Sequence, residues 1–184
     1  MSFGAVLDAC ILFSAPIRDT LLRAAAEGLY RVYWTEDILA EVENNLVLSG
    51  RTSREQASRL TETLRSVFPE AIVRNHHSLI GAMTNHPKDR HVLAAAIASG
   101  SQVIITDNLR DFPKDVLDQY NIEAQAADEF LTNLLDLAPG VMTRIVMDQA
   151  SDLRKPAMTV AELLTILGRQ APTFAEQLRN RIRG

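Results

Sequence analysis

Residues 103–113 read V-I-I-T-D-N-L-R-D-F-P, an apolar run followed directly by a polar segment. The β-branched run 103–105 favours a strand that is buried on both faces of a parallel sheet. A buried strand could not hold the polar groups that follow without giving them partners. These groups are Thr106, Asp107, Asn108 and Asp111. Because open α/β sheets bind ligands at the carboxyl ends of their strands, the stretch predicts an acidic site at this strand end.

Further short strands are predicted along the chain at 5–7, 30–34, 71–73 and 122–125. Segments with helical periodicity lie between them, among them a helix that begins near Pro87 and closes at Gly100. Strands that alternate with helices imply parallel βαβ units. The sequence therefore predicts an α/β fold with a central parallel sheet of about five strands.

Capping signals and a Pro-Gly pair mark the helix starts and the domain boundary. Thr35 precedes two acids and is predicted to cap the helix that carries Glu41, while Ser53 and Gln56 have the spacing of a capping box. The pair at 139–140 is predicted to be a linker, which divides the chain into a domain of residues 1–138 and a helical C-terminal extension of residues 139–184. Short helices are predicted in that extension at 141–153, 159–168 and 173–183.

The composition and net charge of the chain argue against several classes of protein. The 184 residues include 19 basic and 23 acidic side chains and have a net charge of −4, which argues against a general nucleic-acid coat. The single cysteine, Cys10, excludes an internal disulfide and fits a reducing compartment, so a cytoplasmic location is predicted. Residues 1–14 lack the pattern of a signal peptide, and no apolar run predicts a membrane span.

Four acids fall where strand ends or helix starts would bring them together: Asp8, Glu41, Asp89 and Asp111. Carboxylate oxygens of this kind bind Mg²⁺ or Mn²⁺, and a divalent ion relieves the repulsion among them. Such ions activate water and neutralise charge on a phosphodiester. Spacing leaves two positions open, because Glu43 competes with Glu41 and Asp107 competes with Asp111.

Five short motifs together resemble the PIN-domain ribonucleases, of the kind found as VapC-like toxins in bacterial toxin–antitoxin pairs. The resemblance covers about the first 130 residues and rests on V-L-D-A-C-I-L at 6–12, P-I-R-D-T-L-L at 16–22, W-T-E-D-I-L-A-E-V at 34–42, K-D-R-H-V-L-A-A-A-I at 88–97 and I-T-D-N-L-R-D-F-P at 105–113. It implies a three-layer α/β/α fold and a Mg²⁺- or Mn²⁺-dependent endoribonuclease. It also implies an RNA substrate (tRNA, rRNA or mRNA), an antitoxin protein as partner and a possible homodimer.

Residue by residue, the resemblance places the catalytic and metal-binding acids at Asp8, Glu41, Asp89 and Asp111. It favours Asp111 over Asp107 because the last acid of the family precedes Phe in the same D-F pair. Thr106 and Asn108 match polar residues that hydrogen-bond around the metal. The chain departs from the family at Ala9 and Cys10, where Thr or Asn often follows the first acid, and at His86, where relatives often carry Asp.

The remaining polar residues permit two interpretations each. Lys88, Arg90 and Arg110 would contact RNA phosphates, or they would balance the charge of the acids. The four histidines do not show the ligand spacing of a zinc site, so no zinc is predicted. The alternative to an enzyme is a non-catalytic RNA- or protein-binding module on the same fold, with a degraded metal site.

Overall fold

The structure is a computed structural model that describes residues 3–50, 52–154 and 156–183. The chain forms two compact units, neither of which is continuous in sequence. The sheet unit comprises the described residues of 1–13 and 31–125, and the helical unit comprises those of 14–30 and 126–184. Among the described residues, no helix has the length and apolar character that crossing a bilayer requires.

A parallel sheet of four strands forms the centre of the sheet unit. The strands are β1 (Gly4–Leu7), β2 (Arg31–Tyr33), β3 (Val103–Ile105) and β4 (Glu123–Gln125), in the spatial order β2-β1-β3-β4. Every residue of the two central strands, β1 and β3, is buried, as expected for an apolar run inside a parallel sheet. The predicted α/β class with a parallel sheet is confirmed.

The strand predicted at 71–73 is reduced to one parallel bridge between Ile72 and Trp34. Trp34 N–H donates to the Ala71 carbonyl oxygen at 3.0 Å, and Val73 N–H donates to the Trp34 carbonyl oxygen at 2.8 Å. The preceding residues form a 3-10 turn, Pro69–Ala71, because proline fixes its own φ and has no N–H for a ladder. The sheet therefore has four strands where about five were predicted.

Along the sequence, helices lie between and after these strands, and they contain most of the residues. They are α1 (Ala9–Phe13), α2 (Ala15–Ala26), α3 (Glu36–Leu48), α4 (Arg54–Val67), α5 (His77–Ile80), α6 (Arg90–Ser99), α7 (Lys114–Leu117), α8 (Ala127–Leu137), α9 (Pro139–Asp152), α10 (Val160–Leu167) and α11 (Pro172–Arg183). Further 3-10 turns lie at Pro87–Asp89, Leu109–Asp111 and Asp118–Tyr120.

Both predicted N-caps in the sheet unit are confirmed. The Thr35 side chain accepts a hydrogen bond from Ile38 N–H at 3.1 Å at the start of α3. Ser53 and Gln56 exchange side-chain and backbone hydrogen bonds of 3.0 and 3.2 Å at the start of α4. Gly100 ends α6 in the left-handed conformation (φ 65°), where a residue without a Cβ is favoured. The Thr35 cap fixes the start of α3, the helix that carries Glu41.

The helical unit consists of α2 together with α8, α9, α10 and α11. Within it the Tyr30 and Phe130 rings meet edge to face, with centroids 5.0 Å apart. The pair at 139–140, predicted to be a linker, instead forms the first turn of α9, a position in which the missing N–H of proline costs nothing. The predicted domain boundary after residue 138 stays a prediction.

Candidate acidic site

Asp8 and Thr106 stand side by side at the carboxyl ends of the two central strands. Leu7 pairs with Ile105 in the sheet, so the residue after each strand lies at the same edge. Thr106 Oγ1 donates to Asp8 Oδ2 at 2.7 Å, and Ala9 N–H donates to Asp8 Oδ1 at 2.7 Å. Both side chains are buried. The strand pairing thus fixes one carboxylate firmly at the sheet edge.

The Asp8 carboxylate is buried without a cationic partner among its hydrogen-bond donors. Its donors are the Thr106 hydroxyl, the Ala9 amide and the Cys10 thiol, whose Sγ lies 3.5 Å from Oδ2. Burial raises the pKa of Asp8, the neutral donors lower it, and the nearby charge of Glu41 raises it further, with a net increase. A positive charge at this position would be stabilised by the ionised carboxylate.

Asp89 and Asp111 form the second part of the site together with His86. One donor atom from each of the three side chains lies within 4.8 Å of the others. His86 Nδ1 is 3.5 Å from Asp89 Oδ2, and the His86 backbone N–H donates to the Asp111 carbonyl oxygen at 3.2 Å. Burial raises the pKa of Asp89, and the charges of Asp8 and Asp111 add to the increase. Asp8, Asp89 and Asp111 therefore act on one another electrostatically.

The structure separates Asp111 from its competitor Asp107. The Leu109–Asp111 turn directs the Asp111 side chain, only one-fifth exposed, toward Asp89 and His86. Asp107 is exposed, and its backbone N–H donates to Cys10 Sγ at 3.4 Å. The charge of Asp111 contributes to the raised pKa of Asp89. This geometry supports the assignment that the family resemblance favours.

Glu41 reaches the same site from α3, where its charge raises the pKa of both Asp8 and Asp89. Its Oε1 lies 3.0 Å from Nε2 of His91, a residue of α6. Burial lowers the pKa of His91, but the Glu41 carboxylate together with the charges of Asp37 and Asp8 outweighs burial, and the net pKa is raised. Glu43, the competing acid, instead accepts from Thr61 Oγ1 of α4 at 3.3 Å. The four predicted acids thus influence one another, and Glu43 is directed elsewhere.

Cys10 and Asn108 complete the surroundings of Thr106. Burial, followed by the charge of Asp8, raises the pKa of the Cys10 thiol to about 12, so the thiol is protonated and is not a nucleophile. Its Sγ lies 3.6 Å from Thr106 Oγ1. Asn108 was predicted to support the site, and its backbone N–H donates to Thr106 Oγ1 at 3.0 Å. A side chain at position 108 is not required for that contact.

The three basic residues differ in their contacts. Arg110 is 89% exposed, with Nε 3.8 Å from Asp111 Oδ1, and Lys88 is also exposed. Arg90 is half-buried and donates from Nε to the Asn85 carbonyl oxygen at 3.3 Å. Lys88 and Arg110 are accessible to a phosphate beside the acids, whereas the Arg90 side chain is hydrogen-bonded to a backbone carbonyl.

The donor set fits a hard divalent cation. The donor atoms that lie together are carboxylate oxygens of Asp89 and Asp111 and an imidazole nitrogen of His86, a mixed set that Mn²⁺ accepts, and the charges of Asp8 and Glu41 act on Asp89 from beside it. The raised pKa values of Asp8 and Asp89 have the same two causes, which are burial and the proximity of other carboxylates. A cation among these residues would remove that cost.

Two features of the sheet unit were missed at the level of sequence. The contact between Glu41 and His91 joins residues fifty positions apart on different helices. A second group, Asp37 with His76 and His77, places one donor atom of each residue within 4.8 Å of the others. The adjacent histidines were visible in the sequence, but nothing in their spacing pointed to Asp37.

Comparisons with known proteins agree with this architecture. Residues 4–110 match the family described as PIN domain, and residues 127–180 match the family described as VapC50 C-terminal domain. The chain is 42% identical over 104 residues to the protein of Mycobacterium tuberculosis described as "Putative ribonuclease VapC50". That alignment covers 56% of this chain and 62% of the relative, which is less than two thirds of its length. No solved structure matches the chain significantly.

Proposed function

Because the chain belongs to the PIN domain family, we propose that it is a Mg²⁺- or Mn²⁺-dependent endoribonuclease, which hydrolyses RNA phosphodiester bonds. The observation that carries the proposal is the convergence of four acids on one site: burial, followed by the charges of Asp8, Asp111 and Glu41, raises the pKa of the partly buried Asp89. Asp8, the most deeply buried of the four acids, accepts its described hydrogen bonds from neutral groups, so a cation beside it would stabilise its ionised form.

In this proposal Asp8 and Asp89 are the primary metal ligands, and Glu41 and Asp111 complete the set. A bound divalent ion supplies activation of water and neutralisation of charge on the phosphodiester. Thr106 and the Ala9 amide hold the Asp8 carboxylate in place, so little reorganisation of that side chain is needed when the ion and RNA bind. His91 balances the charge of Glu41 in the absence of a ligand.

Lys88 and Arg110 are proposed to contact RNA phosphates beside the acids. Both are exposed, and Arg110 lies next to Asp111, so they could hold the backbone without reading its sequence. Arg90, although it was predicted to share this role, is better suited to fixing the start of α6 through its hydrogen bond to the Asn85 carbonyl.

The toxin role rests on the relative and on the C-terminal match. The similar protein from Mycobacterium tuberculosis bears the name of a VapC50 ribonuclease, and 127–180 matches the C-terminal domain named after it. We therefore extend the proposal to the toxin of a toxin–antitoxin pair in the cytoplasm, with tRNA, rRNA or mRNA as substrate, an antitoxin protein as partner and a possible homodimer. The alternative remains a non-catalytic binding module, which Cys10 and His86 favour because they depart from the family pattern.

Cleavage of RNA by acid-to-amide variants tests the enzyme proposal. D8N and D89N should each lower Mn²⁺-dependent cleavage by at least about 100-fold, since each removes a charge that stabilises the transition state through the ion. D107N is the matched control, because Asp107 is an exposed acid of the same strand end, and it should retain activity. Undiminished cleavage by D8N and D89N would rule out this set of residues.

Calorimetric titration with Mn²⁺ separates the enzyme from the binding module. The proposal expects wild-type protein to bind Mn²⁺ and D8N to bind it much more weakly. Absence of binding at millimolar Mn²⁺ would favour the module. Sequencing of RNA ends after induced expression in cells, with D8N as the control, would then identify the substrate by a cut that appears only with the wild-type chain.

A further inference from the structure

We propose that Asp37, His76 and His77 form a second metal site, which takes a transition metal of the Zn²⁺ class and is separate from the acidic site. None of the three residues belongs to the predicted acidic set. Asp37 lies in the first turn of α3, while His76 and His77 lie at the start of α5. The inference does not depend on the proposed ribonuclease activity.

Convergence of two imidazoles on a single oxygen atom is the first argument. Nε2 of His76 and Nε2 of His77 each lie 2.9 Å from Oδ2 of Asp37. In a tetrahedral zinc site with bonds of 2.0–2.1 Å, neighbouring donor atoms are about 3.3 Å apart. Small shifts of the three side chains would therefore place one ion at bonding distance from all three donors.

The arrangement of the two rings is the second argument. The His76 and His77 rings lie 4.0 Å apart with an interplanar angle of 36°, so the two imidazoles reach Asp37 from neighbouring positions. Imidazole nitrogen is the commonest protein ligand of transition metals. His76 is almost completely buried, which fixes its ring in place.

The chemistry of the donors sets the class of ion. Two imidazole nitrogens and one carboxylate oxygen suit Zn²⁺ and its transition-metal neighbours, whereas Mg²⁺ prefers an all-oxygen set. Three protein ligands leave one tetrahedral position for water. Access is open, because the His77 side chain is 69% exposed and that of Asp37 is 45% exposed.

The site would link α3 to α5 one helical turn from the acidic site. Asp37 and Glu41 are four residues apart on α3 and so share a face of that helix. An ion held by Asp37 and the histidine pair would restrain the first turn of α3, and with it the direction from which Glu41 approaches. The site is therefore a candidate for a structural or regulatory ion.

Zinc binding by the full chain tests the proposal. The D8N/D89N background removes the acidic site, and in it a competition titration with a chromophoric chelator should show one tightly bound Zn²⁺. H77A and D37N, made in that background, should weaken binding by at least about 100-fold, since even partners outside the ligand shell cost 10–100-fold. H86A removes a histidine of the acidic site and is the matched control, which should leave the zinc affinity unchanged.

Co²⁺ spectroscopy on the wild-type chain gives a second readout that does not require the background variant. With Mg²⁺ in large excess, the proposal expects intense visible bands of tetrahedral Co²⁺ that vanish in H77A. Failure of the background chain to bind Zn²⁺ at micromolar concentration, or equal zinc affinity of the background, H77A and D37N, would overturn the proposal. In that case the three residues form only a polar cluster in which both imidazoles contact the Asp37 carboxylate.

Discussion

Asp8 combines complete burial with hydrogen bonds from neutral groups alone, and this has a consequence for stability. An ionised carboxylate loses its hydration on burial, and the three neutral donors recover only part of it. The hydration free energy that these donors do not replace is reflected in the raised pKa of Asp8. Functional sites often contain residues that lower folding stability because those residues are needed to bind a ligand.

We expect D8N to stabilise the metal-free protein at neutral pH. The amide keeps the shape of the side chain and removes the buried charge, so the melting temperature measured in excess chelator should rise by roughly 2–4 °C, which corresponds to about 1 kcal/mol. D107N changes an exposed acid of the same strand end and should leave the melting temperature unchanged. A lower melting temperature of D8N in chelator would contradict the electrostatic account of this residue.

The pH dependence of that difference follows from the direction of the pKa shift. Because the folded-state pKa of Asp8 is raised, protonation of Asp8 favours the native state. The resulting stability is fully present below the unfolded value of about 4 and is lost as the pH rises through the folded value. The advantage of D8N should therefore shrink as the pH falls toward 4, and thermal melts at several pH values would detect it.

Prediction of the site from sequence was limited by information that only tertiary structure holds. Asp8 and Thr106 could be placed because each directly follows a strand, and parallel strands end at one edge. Asp107 and Asp111 could not be distinguished from their spacing, because both lie in the polar segment. The 3-10 turn that places Asp111 has no periodic pattern in the sequence. The Glu41–His91 contact depends on how two helices pack, which no local pattern encodes.

At the scale of secondary-structure elements, the chain uses the same N-cap chemistry in two environments. The Thr35 hydroxyl accepts from Ile38 N–H in the interior, while the Ser53 hydroxyl accepts from Gln56 N–H at an exposed helix start. An amide left without a partner costs little where water can replace the cap and much more where it cannot. Burial should therefore decide how much each cap contributes.

We expect T35V to destabilise the protein more than S53A does. Valine keeps the shape of threonine but leaves the buried Ile38 N–H without its acceptor, which should lower the free energy of unfolding by about 2 kcal/mol. S53A removes an exposed cap and should cost about 0.5–1 kcal/mol. Urea denaturation with unchanged m-values measures both. Equal losses, or a smaller loss in T35V, would show that burial does not control the cap contribution.

Elements for which several local sequence signals agree were predicted well. Elements for which two local signals favour different structures were not. The helix predicted to begin near Pro87 and to close at Gly100 is observed as a 3-10 turn at Pro87–Asp89 followed by α6 (Arg90–Ser99), with Gly100 at its C-cap. The segment 71–73 has β-branched residues, but the turn begun by Pro69 leaves only Ile72 to bridge Trp34. A Pro-Gly pair such as 139–140 is typical both of a linker and of a helix start. In the structure it forms the first turn of α9, which packs within the helical unit.

At the scale of the whole molecule, the helical unit draws α2 from one part of the chain and α8–α11 from another. Thr20 Oγ1 of α2 donates to Gln149 Oε1 of α9 at 2.7 Å in the interior, and Arg23 pairs with Asp152 at 2.9 Å. The apolar face of α2, including Leu21, is buried. Removal of α9–α11 would therefore leave α2 without the partners that bury it.

This arrangement predicts that a fragment of residues 1–138 will not fold as an independent domain. Exposure of the apolar α2 face should make the fragment aggregate, or unfold with low cooperativity in urea, while the full chain unfolds cooperatively. Addition of a peptide of residues 139–184 should restore cooperative unfolding, and the same peptide with Gln149 replaced by Leu should restore it less well. A fragment 1–138 as stable as the full chain would instead support the boundary predicted from the Pro-Gly pair, and would make the helical segment 139–184 an appendage to a self-sufficient domain.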